Sequence, residues 1–263
     1  MRLNRASTGH QLIDRLNALH AEGAKLTQFQ RMSLERDIEQ LKSASQAEGL
    51  MVLGVYYAFS GESENALKHH RLSLNASGRD CVYLLNYGVT LSHLQFFSEA
   101  IKAYKEAQAK DPANAFLLQL LADACFYCGS YETFTACLAL YLKASQDADI
   151  MNNSSVAAAI SHGQDLARLG ISEAQANQVY AKVEDVTKKH NVWISGGTSE
   201  VFDADGHKYL NVELRVNAPG SVLMEMNEEL SDSISEDLQI DCWNKLIYSF
   251  VYSDKVEPQT RVL

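Results

Sequence analysis

Three groups of residues in this chain of 263 have the types and spacing to do chemistry. Cys125 and Cys128 stand in the C-x-x-C spacing of a redox dithiol or of half a zinc site. A catalytic dithiol sits at a helix N-terminus, and a zinc site needs a second ligand pair. This pair lies inside the apolar run "LLQLLADACFYCG" without a second pair, so both sulfurs are expected in a helix core. His69 and His70 are adjacent, and adjacent side chains diverge on a helix rather than converge on a metal. The third group is a turn at Gly196-Gly197-Thr198-Ser199 followed by Asp203, Asp205 and His207. Alternation would put those three on one strand face, where they could grip a cation. Asp205-Gly206 is equally the signal of a tight hairpin, and no helix follows the glycines to aim amides at a phosphate. No Ser-His-Asp order, phosphate loop or paired catalytic carboxylates occurs. The expectation is no catalytic residue, no metal and no cofactor; the chain does not read as an enzyme.

The elements that must position any site are organised by a period. Gly54, Gly88 and Ala122 lie 34 residues apart, and "LMVLGVYYAFSG", "LLNYGVTLSHLQ" and "LQLLADACFYCG" align around them without a gap. Counting Ala47, Cys81 and Ala115 as first positions, position 4 is Leu50, Leu84 and Leu118, and position 7 is Leu53, Tyr87 and Leu121. Position 20, where a second helix presses on the first, is Ala66, Ala100 and Phe134. Small residues let two helices approach, and large ones fill the grooves beside them.

On these residues the stretch from Ala47 to about Ala144 resembles the tetratricopeptide repeat family. The middle repeat is the closest, with Tyr104, Ala107 and Pro112 at positions 24, 27 and 32. His70, Ser73 and Gly78 replace these in the first repeat. The resemblance implies an α-helical solenoid whose ligand peptides lie along first-helix positions 2, 5, 9, 12 and 13. Here these are Glu48, Met51, Val55, Ala58 and Phe59, then Val82, Leu85, Val89, Ser92 and His93, then Phe116, Gln119, Asp123, Phe126 and Tyr127. The branch of the family that clamps a C-terminal carboxylate needs Lys, Arg and Asn at such positions, and this chain has none there. The implied partner-binding set is Met51, Val55, Phe59, Leu85, Val89, His93, Gln119, Asp123, Phe126 and Tyr127. Either a partner or the chain's own terminal elements fill that apolar groove.

Residues 1–46 read as a helical hairpin that caps the array. Leu12, Leu16 and Leu19 form one face, "AEGAKL" the turn, and Thr27 with Gln30 a capping box for a helix burying Phe29, Met32, Leu34 and Ile38. Three repeats occupy 47–148. A further helix pair or bridge spans 149–190, with Gly170 as a stop and Ser172 with Gln175 as another capping box. From Asn191 the period becomes two, so 191–263 reads as a small acidic β-β-α-β unit with a polar tail after Ser253. The fold class is therefore mainly α, a tetratricopeptide-type solenoid followed by a small α+β domain.

Through Ser145 the chain carries 14 acidic and 14 basic residues, while the remainder holds 19 against 9, so the whole net charge of −10 lies in the C-terminal part. Such a surface repels phosphate backbones and argues against nucleic acid. No run of 18 apolar residues occurs, the first 16 residues lack a secretory apolar core, and five cysteines suit reduced thiols, which together point to the cytoplasm. The expected role is protein–protein interaction by a cytoplasmic, bacterial adaptor or chaperone-like protein holding an apolar helix or extended segment. Three loose repeats behind a helical cap also resemble the translocator chaperones of type III secretion, and an antitoxin- or immunity-like masking protein belongs to the same class. A homo-oligomer is compatible with all of these. The alternative is a ligand- or metal-binding sensor, or an enzyme, centred on the β-β-α-β unit.

Overall fold

The computed structural model describes residues 8–21 and 26–254. The turn expected at "AEGAKL" and the polar tail lie almost wholly outside them. Among the described residues there are eleven α-helices and one three-stranded sheet, so the chain is mainly helical with its strands near the C-terminus. It divides between Asp111 and Pro112 into two compact units. That division falls inside the stretch read as repeats, and residues 149–190 and the β-containing segment share one unit with the helices before them.

The first unit holds α1 (Thr8–Ala21), α2 (Gln28–Ala44), α3 (Gln46–Phe59), α4 (Ser63–Ser77), α5 (Cys81–His93) and α6 (Phe97–Lys110). The Thr27 hydroxyl accepts from the Gln30 amide at 3.2 Å, and the Gln30 side chain accepts from the Thr27 amide at 2.8 Å, closing the capping box. Of the expected α2 face, Leu34 and Ile38 are fully buried, whereas Phe29 and Met32 point outward, 81% and 62% exposed. The spacing explains this correction: Leu41 completes the 34/38/41 stripe, and positions 29 and 32 fall on the opposite side of a 3.6-residue helix.

α3 packs on α4, and α5 on α6, through the same pair of positions. A side-chain carbon at Gly54 would lie 2.4 Å from Cδ2 of His70, and one at Gly88 would lie 2.4 Å from Cε1 of Tyr104. A ring on the second helix thus rests on bare backbone of the first. α5 also lies against both α3 and α4, where the His70 Nε2 and Thr90 hydroxyl meet at 2.8 Å.

The second unit begins with α7 (Ala115–Cys128) and α8 (Tyr131–Ser145), a 3₁₀ turn at Ala148–Asn152, α9 (Ser154–Arg168) and α10 (Glu173–His190). α9 packs on α7 and α8, whereas α10 packs mainly on the crossover helix of residues 220–235 and less on α7 and the last strand. The Glu173 carboxylate accepts from both the amide and the hydroxyl of Thr133, at 2.9 and 2.7 Å, tying the first turn of α10 to α8. The helices of residues 149–190 therefore divide the two expected roles: α9 stacks on the preceding pair, and α10 bridges to the strands.

β1 (Ile194–Ala204) and β2 (His207–Val216) form an antiparallel hairpin, α11 (Gly220–Ser235) crosses over, and β3 (Leu246–Tyr252) pairs parallel to β2, in the order β1-β2-β3. Leu210, Val212, Leu214 and Val216 are fully buried on one face, with Leu246, Tyr248 and Phe250 of β3 and Met226 and Leu230 of α11. The β-β-α-β order read from the alternation is the order observed.

Candidate protein-interaction surface

In the first unit most positions expected to line a groove are core, with Glu48 and Phe59 half-buried and Val82 exposed. Met51 is 5% exposed and Val55 has no exposure; α1 packs along α3, and the Gly9 amide donates to the Glu48 carboxylate at 3.0 Å. The terminal helix that was one of two expected occupants of this face is there. Leu85 and Val89 on α5 are likewise closed to solvent, and His93 meets the half-buried Phe59 edge-on at 5.4 Å. Burial of apolar surface drives the Leu12, Ile13 and Leu16 face of α1 onto the apolar face of α3.

In the second unit the five positions on α7 separate into two sets. Phe126 is buried, its ring 4.9 Å from that of His162 on α9. Gly197 of β1 lies so close that a side-chain carbon there would stand 3.1 Å from the Phe126 ring and 3.4 Å from that of Tyr127. The Tyr248 hydroxyl donates to the Tyr127 carbonyl at 3.1 Å. The sheet thus closes the C-terminal end of this α7 face, and burial raises the Tyr127 pKa, with nearby Asp123 adding and Arg215 opposing.

Phe116, Gln119 and Asp123 remain accessible, at spacings of 3 and 4 that align them in one stripe leading to Tyr127. Loss of hydration raises the Asp123 pKa, although the residue is exposed; a hydrogen bond from Ser155 of α9 opposes the shift. The accessible stripe is therefore an aromatic ring, an amide and a carboxylate near the Ser155 hydroxyl. Val82, at the same repeat position as Phe116, is 55% exposed on α5 in its own unit.

The chemically suggestive groups serve the scaffold. Cys125 and Cys128 are buried thiols in α7. His69 stacks on Tyr57 at 5.0 Å, while His70 turns inward to Thr90. The expected turn at Gly196–Ser199 is instead continuous β1, with its irregularity between Ile194 and Gly196. Glycine there serves the close approach of Phe126 and Tyr127 rather than a change of direction. Asp203, Asp205 and His207 do not share a face: the chain reverses at Asp205 and Gly206, where φ is 55° and 85°. The Asp203 carboxylate accepts from the Gly206 amide at 2.9 Å, and the His207 Nε2 lies 2.9 Å from the Asn244 carbonyl. Among the described residues no three His, Cys, Asp or Glu side chains gather as a metal set, and no helix is long and apolar enough to cross a membrane.

Comparison with family models, with curated proteins and with solved structures returns no match. Two features escaped the sequence reading: the Asp123–Ser155 contact, which joins distant segments, and the exposed edge of β1. The length of the alternating run through Gly196 and Gly197 was the available signal for that edge.

Proposed function

We propose that this chain is a protein-interaction module of tetratricopeptide type, an adaptor or chaperone-like protein of the cytoplasm that holds an apolar segment of a protein partner. The observation that carries the reading is the accessible stripe Phe116, Gln119 and Asp123, which occupies ligand-facing repeat positions on one helix. The recurring contact of a ring with a glycine, Gly54 with His70 and Gly88 with Tyr104, supports the repeat register. The stripe suits a helix or extended segment with an apolar anchor beside a Lys or Arg. Burial of such an anchor contributes roughly 1.5–3 kcal/mol, and the carboxylate selects its neighbour. Because Met51, Val55, Leu85, Val89 and Phe126 are core, the contact surface is narrower than the full set of repeat positions.

The test is a pull-down from the native host with wild type and with the pair Phe116→Ser and Asp123→Lys, after matching their thermal melts. A protein retained by wild type and lost by the variant supports the reading. The same proteins retained by both would overturn it.

A further inference from the structure

The two edges of the sheet are finished differently. Along β3 the Asn227 side chain of α11 donates to the Phe250 carbonyl at 3.0 Å and accepts from its amide at 2.8 Å, so this edge is capped at Phe250. Along β1, among the described residues, no hydrogen bond reaches the outer backbone of residues 196–204. Thr198, Glu200, Phe202, Asp203 and Ala204 are exposed. Soluble proteins blunt free edges with proline, lysine, short strands or a covering element. β1 is 11 residues long and contains neither proline nor lysine.

We infer that the edge of β1 is a self-association surface, on which β1 of a second copy pairs antiparallel about Ser199 to extend the sheet across both copies. The sequence of the strand is complementary to its own reverse. Its first half carries Gly196 and Gly197, its second half Val201 and Phe202. Pairing about Ser199 sets Phe202 across from Gly196 of the second copy, where the ring covers an open glycine, and Val201 across from Gly197, where a glycine leaves room beside the Phe126 and Tyr127 rings. It sets Glu200 across from Thr198 and Asp203 across from Ser195, which keeps like charges from facing each other directly.

Charge favours the same register. Arg215 of β2 is paired with Gly196 and is exposed. Because Gly196 has no side chain, Arg215 has open passage across it to the next strand. In the pairing about Ser199 that strand presents Phe202 of the second copy beside Gly196 and Glu200 on the diagonal. The guanidinium would then lie against an aromatic face and a carboxylate, and the dyad repeats the contact. An unrelated extended peptide would meet the backbone of β1 without matching the glycines or Arg215.

Sedimentation equilibrium of the full chain tests this, with a dimer expected at micromolar concentration. Glu200→Lys and Arg215→Glu, each at an exposed position, should each weaken the dimer by about tenfold or more. The double variant, which exchanges the charges, should recover most of that loss while monomer melts stay matched. Ser199→Cys should form an intermolecular disulfide on mild oxidation, because a residue on the dyad faces its own copy; Glu200→Cys should not. A monomer at every concentration overturns the assignment, including one that binds a foreign peptide at this edge. A dimer indifferent to both charge reversals, or one cross-linked equally from 199 and 200, overturns it as well.

Discussion

His162 sits on α9 with 1% exposure, and among the described residues neither ring nitrogen has a hydrogen-bond partner. Burial lowers its pKa to about 4, and in the first unit burial, with the neighbouring His69 adding, lowers that of His70 to about 3. Both rings are neutral in the native chain, whereas the unfolded chain binds a proton at each once the pH falls below about 6.5. Their contribution is thus undiminished above that value, and stability is lost as the pH falls from 6.5 toward the native values. Each pKa unit of lowering corresponds to about 1.4 kcal/mol. Urea midpoints should therefore decline between pH 6.5 and 4, and His162→Leu should flatten part of that slope. An equal slope in the variant would mean that water reaches the ring. These histidines were legible only as residues: His70 falls where the tetratricopeptide resemblance expects an aromatic, but its burial depends on Gly54, 16 residues earlier.

At the scale of elements, Asn227 joins a helix to a strand edge. Asn227→Leu keeps the side chain's approximate size and removes both hydrogen bonds to Phe250. Leaving a buried backbone group unpaired costs about 1–3 kcal/mol, so the variant should lose that order of stability and its Phe250 amide should exchange faster with deuterium. Unchanged exchange would show that another group covers the edge. Periodicity made the elements themselves legible, down to both capping boxes, but it put Phe29 and Met32 on the buried face of α2, where the observed stripe is Leu34, Ile38 and Leu41. It missed the glycines of β1 because a glycine pair signals a turn locally, whereas here Gly197 answers to Phe126 and Tyr127, some 70 residues earlier, and Gly196 stands in open space. Parallel pairing of β3 with β2 was beyond reach for the same reason: alternation fixes which face is buried but not which strands are neighbours.

For the whole molecule, the sequence offered a boundary after the third repeat, near Ser145, where the apolar pattern lapses. The contacts of α7 and α8 argue that the cooperative unit does not end there. Phe126 rests on His162, Thr133 holds Glu173, and the Tyr127 carbonyl takes the Tyr248 hydroxyl. A fragment ending at Ala144 would strip these partners away and open the faces around Phe126 and Phe134. It should bind a hydrophobic dye and aggregate on concentration, as the full chain should not. A fragment that stays soluble and melts sharply would restore the boundary at Ser145. The resemblance in sequence ran through the middle and third repeats without a break, so nothing in the pattern marked the division at Asp111 and Pro112.

The parallel pairing of β3 with β2 has a consequence during synthesis. A two-residue reversal closes the β1–β2 hairpin, which can form as soon as its residues leave the ribosome. β3 is separated from β2 by residues 217–245, and the crossover through α11 must be ordered before the last strand can add. In that interval Leu210, Val212 and Leu214 lack the strand that flanks them in the finished sheet. The nascent chain thus passes through a stage with two open strand edges beside an apolar face, a stage at which aggregation competes with folding. The rate at which the final strand arrives, rather than the stability it confers once in place, then sets how much chain survives to the folded state.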